Sequence, residues 1–168
     1  NVPATIWWTY VRQVGDFIKP GDPPLGAIQA PEHPQWIYTI GLEPLKAGKS
    51  LDTATPIGWR FLSEAHSSHA LSAMVGQCNK TEVPKLTGLS RGPRVALALH
   101  AARQVKNLAV AKGRELAVLT IPGILTEAFW LKSKNSKDDW YVPFLTASKE
   151  LHNFAPYSRA DFQKAVQK

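Results

Sequence analysis

The chain has 168 residues, 44% of them hydrophobic and 20% charged, with six Trp, six Phe and four Tyr. That composition excludes a disordered tail and a coiled coil, and a core of this size needs no metal or disulfide staple. The longest nearly apolar stretches run to about a dozen residues, short of the roughly 20 that a helix needs to cross a bilayer, so no membrane span is predicted.

Charge is informative by position. The net charge is +7, yet residues 1–78 hold five basic and six acidic groups while residues 79–168 hold fifteen and seven. Such asymmetry suits an anionic partner, such as nucleic acid, an acidic protein or a phosphorylated ligand, and it also serves solubility. The lone Cys78 can form no internal disulfide, which fits a reducing, cytoplasmic setting. No basic-then-apolar leader follows Asn1, and a removed signal peptide stays open.

In chain order, Ile6–Val11 (IWWTYV) is rich in aromatic and β-branched residues and predicts a strand covered on both faces. Five prolines between residues 20 and 34 forbid a helix interior or a central strand, so an ordered loop is expected. Trp36–Leu42 and Ile57–Ser63 resume strand composition, and Ala65–Gly76, which fits neither period cleanly, is assigned to strand. A helix is predicted over 93–112, with Gly92 at its N-cap, Pro93 at its first position and Gly113 just past its end. Val95, Leu97, Ala98, Ala101, Ala102, Val105, Leu108 and Ala109 make one apolar arc of about 160° on that helix. The four alanines in the arc permit a close approach, which suits a curved sheet better than a helix-bundle seam.

Strand patterning returns at Glu115–Ile121 and Ile124–Lys132. The Pro122-Gly123 pair between them favours a type II turn, and predicts a kink or bulge instead of a tight reversal. KSKNSKDD at 132–139 is the polar tip of a hairpin leading into WYVPFL. Ser158 as N-cap, with Asp161 three residues on, opens a C-terminal helix whose apolar stripe is Phe162, Ala165 and Val166. This order predicts an α+β fold in a single domain over 1–168: a curled antiparallel β-sheet packed on one long helix (93–112), with a short C-terminal helix. The outline resembles cystatin-like folds, a likeness of architecture that implies no function.

Candidate chemistry is sparse. His66 and His69 offer two metal ligands at helical spacing, but two ligands do not complete a site and on a strand the rings point apart, so no metal or other cofactor is expected. Cys78 with His100 or His152 would supply a thiol and a base, without any feature that positions an oxyanion hole. No nucleophile elbow or phosphate-cradling glycine loop is present. Asp138 and Asp139 fall in the lysine-rich tip, where water is expected to screen them. Glu127 shares a strand face with Leu125, Phe129 and Leu131, so its carboxylate must be neutral, paired or functional, with an ion pair the favoured outcome.

Arg91, Arg94, Arg103 and Lys106 belong to the basic half and are the candidate anion-binding residues. They form no single stripe and lack interleaved exposed aromatics, which disfavours nucleic acid. Trp59 and Arg60, grouped with Trp36, Trp130 or Trp140, form the best candidate ligand site: an apolar pocket with a polar anchor. The resulting expectation is a non-catalytic binding or interaction protein with an aromatic-lined sheet surface, its partner a small molecule or a protein. The alternatives are a small enzyme using Glu127 and His100 in a pocket between sheet and helix, and nucleic-acid association through residues 79–168.

Overall fold

The computed structural model describes residues 2–21, 28–65, 69–79 and 81–168, apart from the side chains of residues 33, 65 and 69. Its first element is a helix, α1 (Ala4–Gln13), where aromatic composition predicts a strand. Ile6, Tyr10 and Val14 recur every four residues and are buried, while Trp7, Trp8 and Val11 stay exposed. One-sided burial at helical spacing outweighs the β preference of the individual residues. The Pro3 carbonyl accepts the N–H groups of Ile6 and Trp7 and starts the helix.

The chain continues through β1 (Glu32–Thr39), α2 (Leu42–Lys46), β2 (Thr55–Ala65), β3 (His69–Gly76) and β4 (Lys85–Arg91). Helix α3 (Pro93–Val105) precedes β5 (Glu115–Ile121), β6 (Thr126–Lys132), β7 (Trp140–Leu145), β8 (Tyr157–Ser158) and α4 (Arg159–Val166). The strand order is β4-β3-β2-β1-β5-β6-β7-β8. The β2–β3–β4 and β5–β6–β7–β8 neighbours all pair antiparallel. β4 and β8 end the order at opposite edges without pairing, so the sheet is open, not the curled sheet predicted. The alanines of α3 allow close approach, but close approach does not require curvature.

Residues 1–36 and 57–100 form one compact unit, and residues 37–56 and 101–168 a second. In the first, α1 lies on a core of Trp59, Phe61, Ala73, Val75 and Leu86, with Trp36 packed against it. Tyr10 stacks on Phe61 at 4.6 Å between ring centroids, and Gln13 Oε1 accepts the Leu86 N–H at 2.8 Å. In the second, Phe162 of α4 stacks on Tyr141 of β7, also at 4.6 Å. Ser158 caps α4 as its sequence predicts, its hydroxyl oxygen accepting the Asp161 N–H at 3.2 Å.

Helix α3 starts at Pro93 as predicted, after Gly92 at φ +109°, but ends at Val105 instead of 112. Asn107 and Leu108 donate their N–H groups three residues back, to Gln104 and Val105, which tightens the chain into a 3₁₀ turn at Ala109–Ala111. Gly113, left-handed at φ +73°, closes that turn and not the helix. The apolar spacing runs on through Leu108 and Ala109, so periodicity alone does not mark the break.

Three further corrections have local causes. β1 opens at Glu32, so Pro34 stands inside a strand that the proline count excluded; residues 22–27 of the same stretch lie outside the described residues, as do 66–68 of the 65–76 strand. β4 has no sequence expectation, because within KLTGLSR only Leu86 is fully buried and no alternation shows. β5 and β6 reverse fully through a 3₁₀ turn at Pro122–Ile124 and a left-handed Leu125 at φ +46°, where a kink or bulge is predicted. A bulge does occur in this strand, at Glu127/Ala128 against β7, beside Pro143, which has no N–H to give the ladder.

Among the described glycines, Gly58 is the least tolerant of a side chain. At φ +152° opposite Gly76, an added Cβ would run into the Val75 carbonyl oxygen. Gly58→Ala is expected to lower stability by about 1–3 kcal/mol in urea unfolding, and an unchanged midpoint would refute the packing described.

Candidate functional site

The first unit presents a groove along α1. Ala4, Thr5, Trp8, Thr9, Arg12 and Gln13 line one side and Val83 and Pro84 the other, enclosing about 470 Å³. Spacings of four place Ala4, Trp8 and Arg12 on one helix face. The Gln13–Leu86 hydrogen bond fixes the far wall, since Val83 and Pro84 immediately precede β4. Trp8 is 55% exposed and Val83 87%, and Trp7 and Val11 extend the apolar surface beyond the groove. The Arg12 guanidinium lies 5.8 Å from the Trp8 ring centroid. Among the described residues no carboxylate lines the groove, and the nearby Glu82 is turned away, accepting the Cys78 N–H at 2.8 Å and a hydrogen bond from Asn79 Nδ2 at 2.9 Å.

Beneath α1, Trp36 and Trp59 meet at 4.8 Å, but as the floor on which the helix packs. Arg60 points to the opposite strand face, where its Nε and Nη2 donate to Gln35 Oε1 at 3.2 and 2.9 Å. Buried Gln35 Nε2 and Trp59 Nε1 have no hydrogen-bond partner among the described residues. Burial raises the pKa of the Tyr10 phenol, and its hydrogen bond with Ser63 offsets part of that rise.

The second unit holds a charged cluster that sequence reasoning missed. Asp139 is only 2% exposed, in contrast to the screened position expected at the hairpin tip; Asp138 does stay exposed. The Asp139 carboxylate accepts Trp130 Nε1–H and the Ser133 N–H, each at 2.7 Å. Arg159, at the start of α4, donates from Nη1 and Nη2 to the two Asp52 carboxylate oxygens at 2.8 and 2.6 Å, and from Nη2 to Ser50 Oγ at 2.7 Å. Its Nη1 also lies 3.9 Å from Asp139 Oδ2. The Arg159 hydrogen bonds hold the Asp52 carboxyl below its usual range, and the Lys132 charge pulls the same way. Burial pushes the Tyr141 phenol far up, and its hydroxyl has no hydrogen-bond partner among the described residues. The signal for this cluster in the sequence is slight: a Trp nine residues before an Asp across a hairpin.

Beside it, Lys132 Nζ sits 4.6 Å from the Tyr38 ring centroid and 4.7 Å from that of Trp130, and donates to Tyr38 Oη at 3.2 Å. Trp130 stacks on Tyr141 at 5.7 Å, whereas Trp140, one position earlier on β7 than Tyr141, faces the other way and is half-buried.

Trp36, Trp59 and Arg60 thus belong to the first unit and Trp130 and Trp140 to the second. His100, exposed on α3, is in the first unit; Glu127, half-buried and already engaged, is in the second. Leu125 has left the strand face that Glu127 shares with Phe129 and Leu131. Arg91 and Arg94 are exposed in the first unit, Arg103 and Lys106 lie in the second, and all three arginines already have partners. Among the described residues, no hydrogen bond joins Cys78 to a histidine and no group of three or more His, Cys, Asp or Glu is placed to hold a metal ion. No described helix is long and apolar enough to cross a membrane.

Asp139→Ala leaves the Trp130 indole N–H and the Ser133 amide unsatisfied, and is expected to cost about 3 kcal/mol in denaturant unfolding; a loss near zero would mean the buried carboxylate is not the anchor. Asp52 has a lower pKa folded than unfolded, where it is about 3.9. Its stabilisation is therefore full above that value and lost as pH falls through the folded-state pKa. With Asp52 53% exposed, the advantage of the native chain over Asp52→Asn is expected to be about 1 kcal/mol or less at pH 7 and to vanish toward pH 2 in urea unfolding. No protein-family model, curated protein or solved structure matches this chain, so the reading of both sites rests on their chemistry.

Proposed function

We propose that the chain is a binding module that takes an apolar, acidic polypeptide segment in the groove along α1. The observation that carries this is the exposure of Trp8 beside Arg12, facing Val83, in a groove that no carboxylate lines among the described residues. Trp and Arg are the residue types over-represented where protein interfaces concentrate their binding energy. An open groove with a helix for one wall and a two-residue lip for the other suits a chain segment that lies along it. An apolar side chain would enter between Trp8 and Val83, and a carboxylate would pair with Arg12. The aromatic sheet residues serve this surface from below: Trp36, Trp59 and Phe61 support α1, and Trp7 rests 6.0 Å from the Phe61 ring.

The enzyme reading has less support, since Glu127 is already engaged and His100 stands exposed on α3. The nucleic-acid reading is weakened by the existing partners of Arg91, Arg94 and Arg103.

The test uses two synthetic peptides, one alternating Leu and Glu and one alternating Leu and Lys, titrated into isotope-labelled protein. The acidic peptide is expected to move the Trp8 indole signal and the amides of α1 and Val83, with affinity at least about tenfold above the basic one. Trp8→Ala should abolish the effect, and Arg12→Glu should invert the preference. Equal responses to both peptides, or shifts confined to other elements, would refute the assignment.

A further inference from the structure

Independently of the α1 groove, we propose that the Tyr38–Trp130 corner of the second unit is a binding site for a methylated ammonium group, the side chain of trimethyl-lysine in a partner, and that Lys132 occupies it in cis. Tyr38 and Trp130 meet at 5.1 Å with their planes inclined by 66°, so the two rings form adjoining walls. The Lys132 ammonium sits nearly equidistant from both, at 4.6 and 4.7 Å. The ammonium lies against Trp130, where the ring quadrupole holds it, and at the hydroxyl edge of Tyr38, where it donates to Oη; cations held against aromatic rings are how proteins recognise quaternary ammonium groups.

Two features set this corner apart from an ordinary surface lysine lying on an aromatic. Trp130 donates its indole N–H to the buried Asp139 carboxylate at 2.7 Å, which pushes electron density into the ring and strengthens its attraction for a cation. Charge bookkeeping points the same way: Asp52 and Asp139 against Arg159 leave one negative charge, which Lys132 balances. Glu115, opposite Lys132 on β5, adds a further carboxylate on the same face. With Lys132 turned out toward solvent, the corner is anionic and walled by π faces. A methylated ammonium replaces Lys132 well, because it gains the ring contacts without needing the hydrogen bond that Lys132 gives to Tyr38 Oη. The half-exposed Asp52 disfavours a phosphate nearby, so a lysine side chain fits better than a choline phosphate headgroup.

The experiment titrates N-acetyl-trimethyl-lysine amide, its neutral tert-butyl isostere and phosphocholine into Lys132→Ala and native protein, following the Trp130 indole N–H resonance. The trimethyl-lysine probe is expected to shift that resonance saturably in Lys132→Ala, with affinity at least about tenfold above the native chain, because the internal competitor is gone. The isostere should have no effect and phosphocholine a weaker one, and adding Tyr38→Ala should remove the response. No saturable shift in a folded Lys132→Ala, an equal response to the isostere, or phosphocholine binding as tightly as trimethyl-lysine would each overturn the proposal. A second measurement needs no variant: after reductive dimethylation of the native protein with labelled formaldehyde, the Lys132 methyl signals should move upfield under the two rings. Lys132 methyl signals at the position of free dimethyl-lysine would show that the corner rejects a methylated cation, and would equally overturn it.

Discussion

In each unit, one parallel aromatic stack clamps a helix onto the sheet. Tyr10 lies on Phe61 at 4.6 Å and 15°, and Phe162 lies on Tyr141 at 4.6 Å and 11°. Such a pair adds about 0.5–1.5 kcal/mol to the burial of its rings, but its larger effect is orientation. With Tyr10 fixed inward, α1 has no freedom to hide Trp8 and Arg12, which must face outward. With Phe162 fixed on Tyr141, α4 delivers Arg159 from its first turn to Asp52 and the edge of Asp139. Both candidate surfaces follow from where these two rings are pinned.

The same stacks explain what the sequence reveals and what it conceals. The α+β order, the hairpin around 132–139, the start of α3 and the cap of α4 are legible because each rests on local chemistry: Pro93 after Gly92, Ser158 before Asp161, a polar run between two apolar ones. Helix α1 is concealed because IWWTYV satisfies β propensity residue by residue, while its helical evidence is the wider spacing of Ile6, Tyr10 and Val14. The end of α3 is concealed because apolar periodicity persists past the point where the backbone tightens. Whether a sheet curls depends on how its two edges relate, and no local pattern encodes that.

Site residues divide along the same line. Trp36 and Trp59 form a pair, placed as the floor beneath α1. Composition is blind, however, to which ring supports and which is presented, so the exposed Trp8 is indistinguishable from the buried Trp59. Asp139 is the sharper lesson. In a tip of lysines and polar residues it reads as solvated, yet it is drawn inward because Trp130 and the Ser133 amide need an acceptor there. A buried polar group answers to partners brought by topology, and sequence neighbours say little about it.

Arg159 joins the 50–52 turn, the 136–139 tip and the first turn of α4 through its guanidinium, whose Nη1 also donates to the Ser136 carbonyl, and through its backbone N–H, which donates to the Asp139 carbonyl. None of these three surface stretches can therefore fray alone. A helix end held by few contacts exchanges its amides and meets proteases early. Here the first turn of α4 is buckled to a hairpin and a distant turn, so it opens only when they do, and the three share one lifetime.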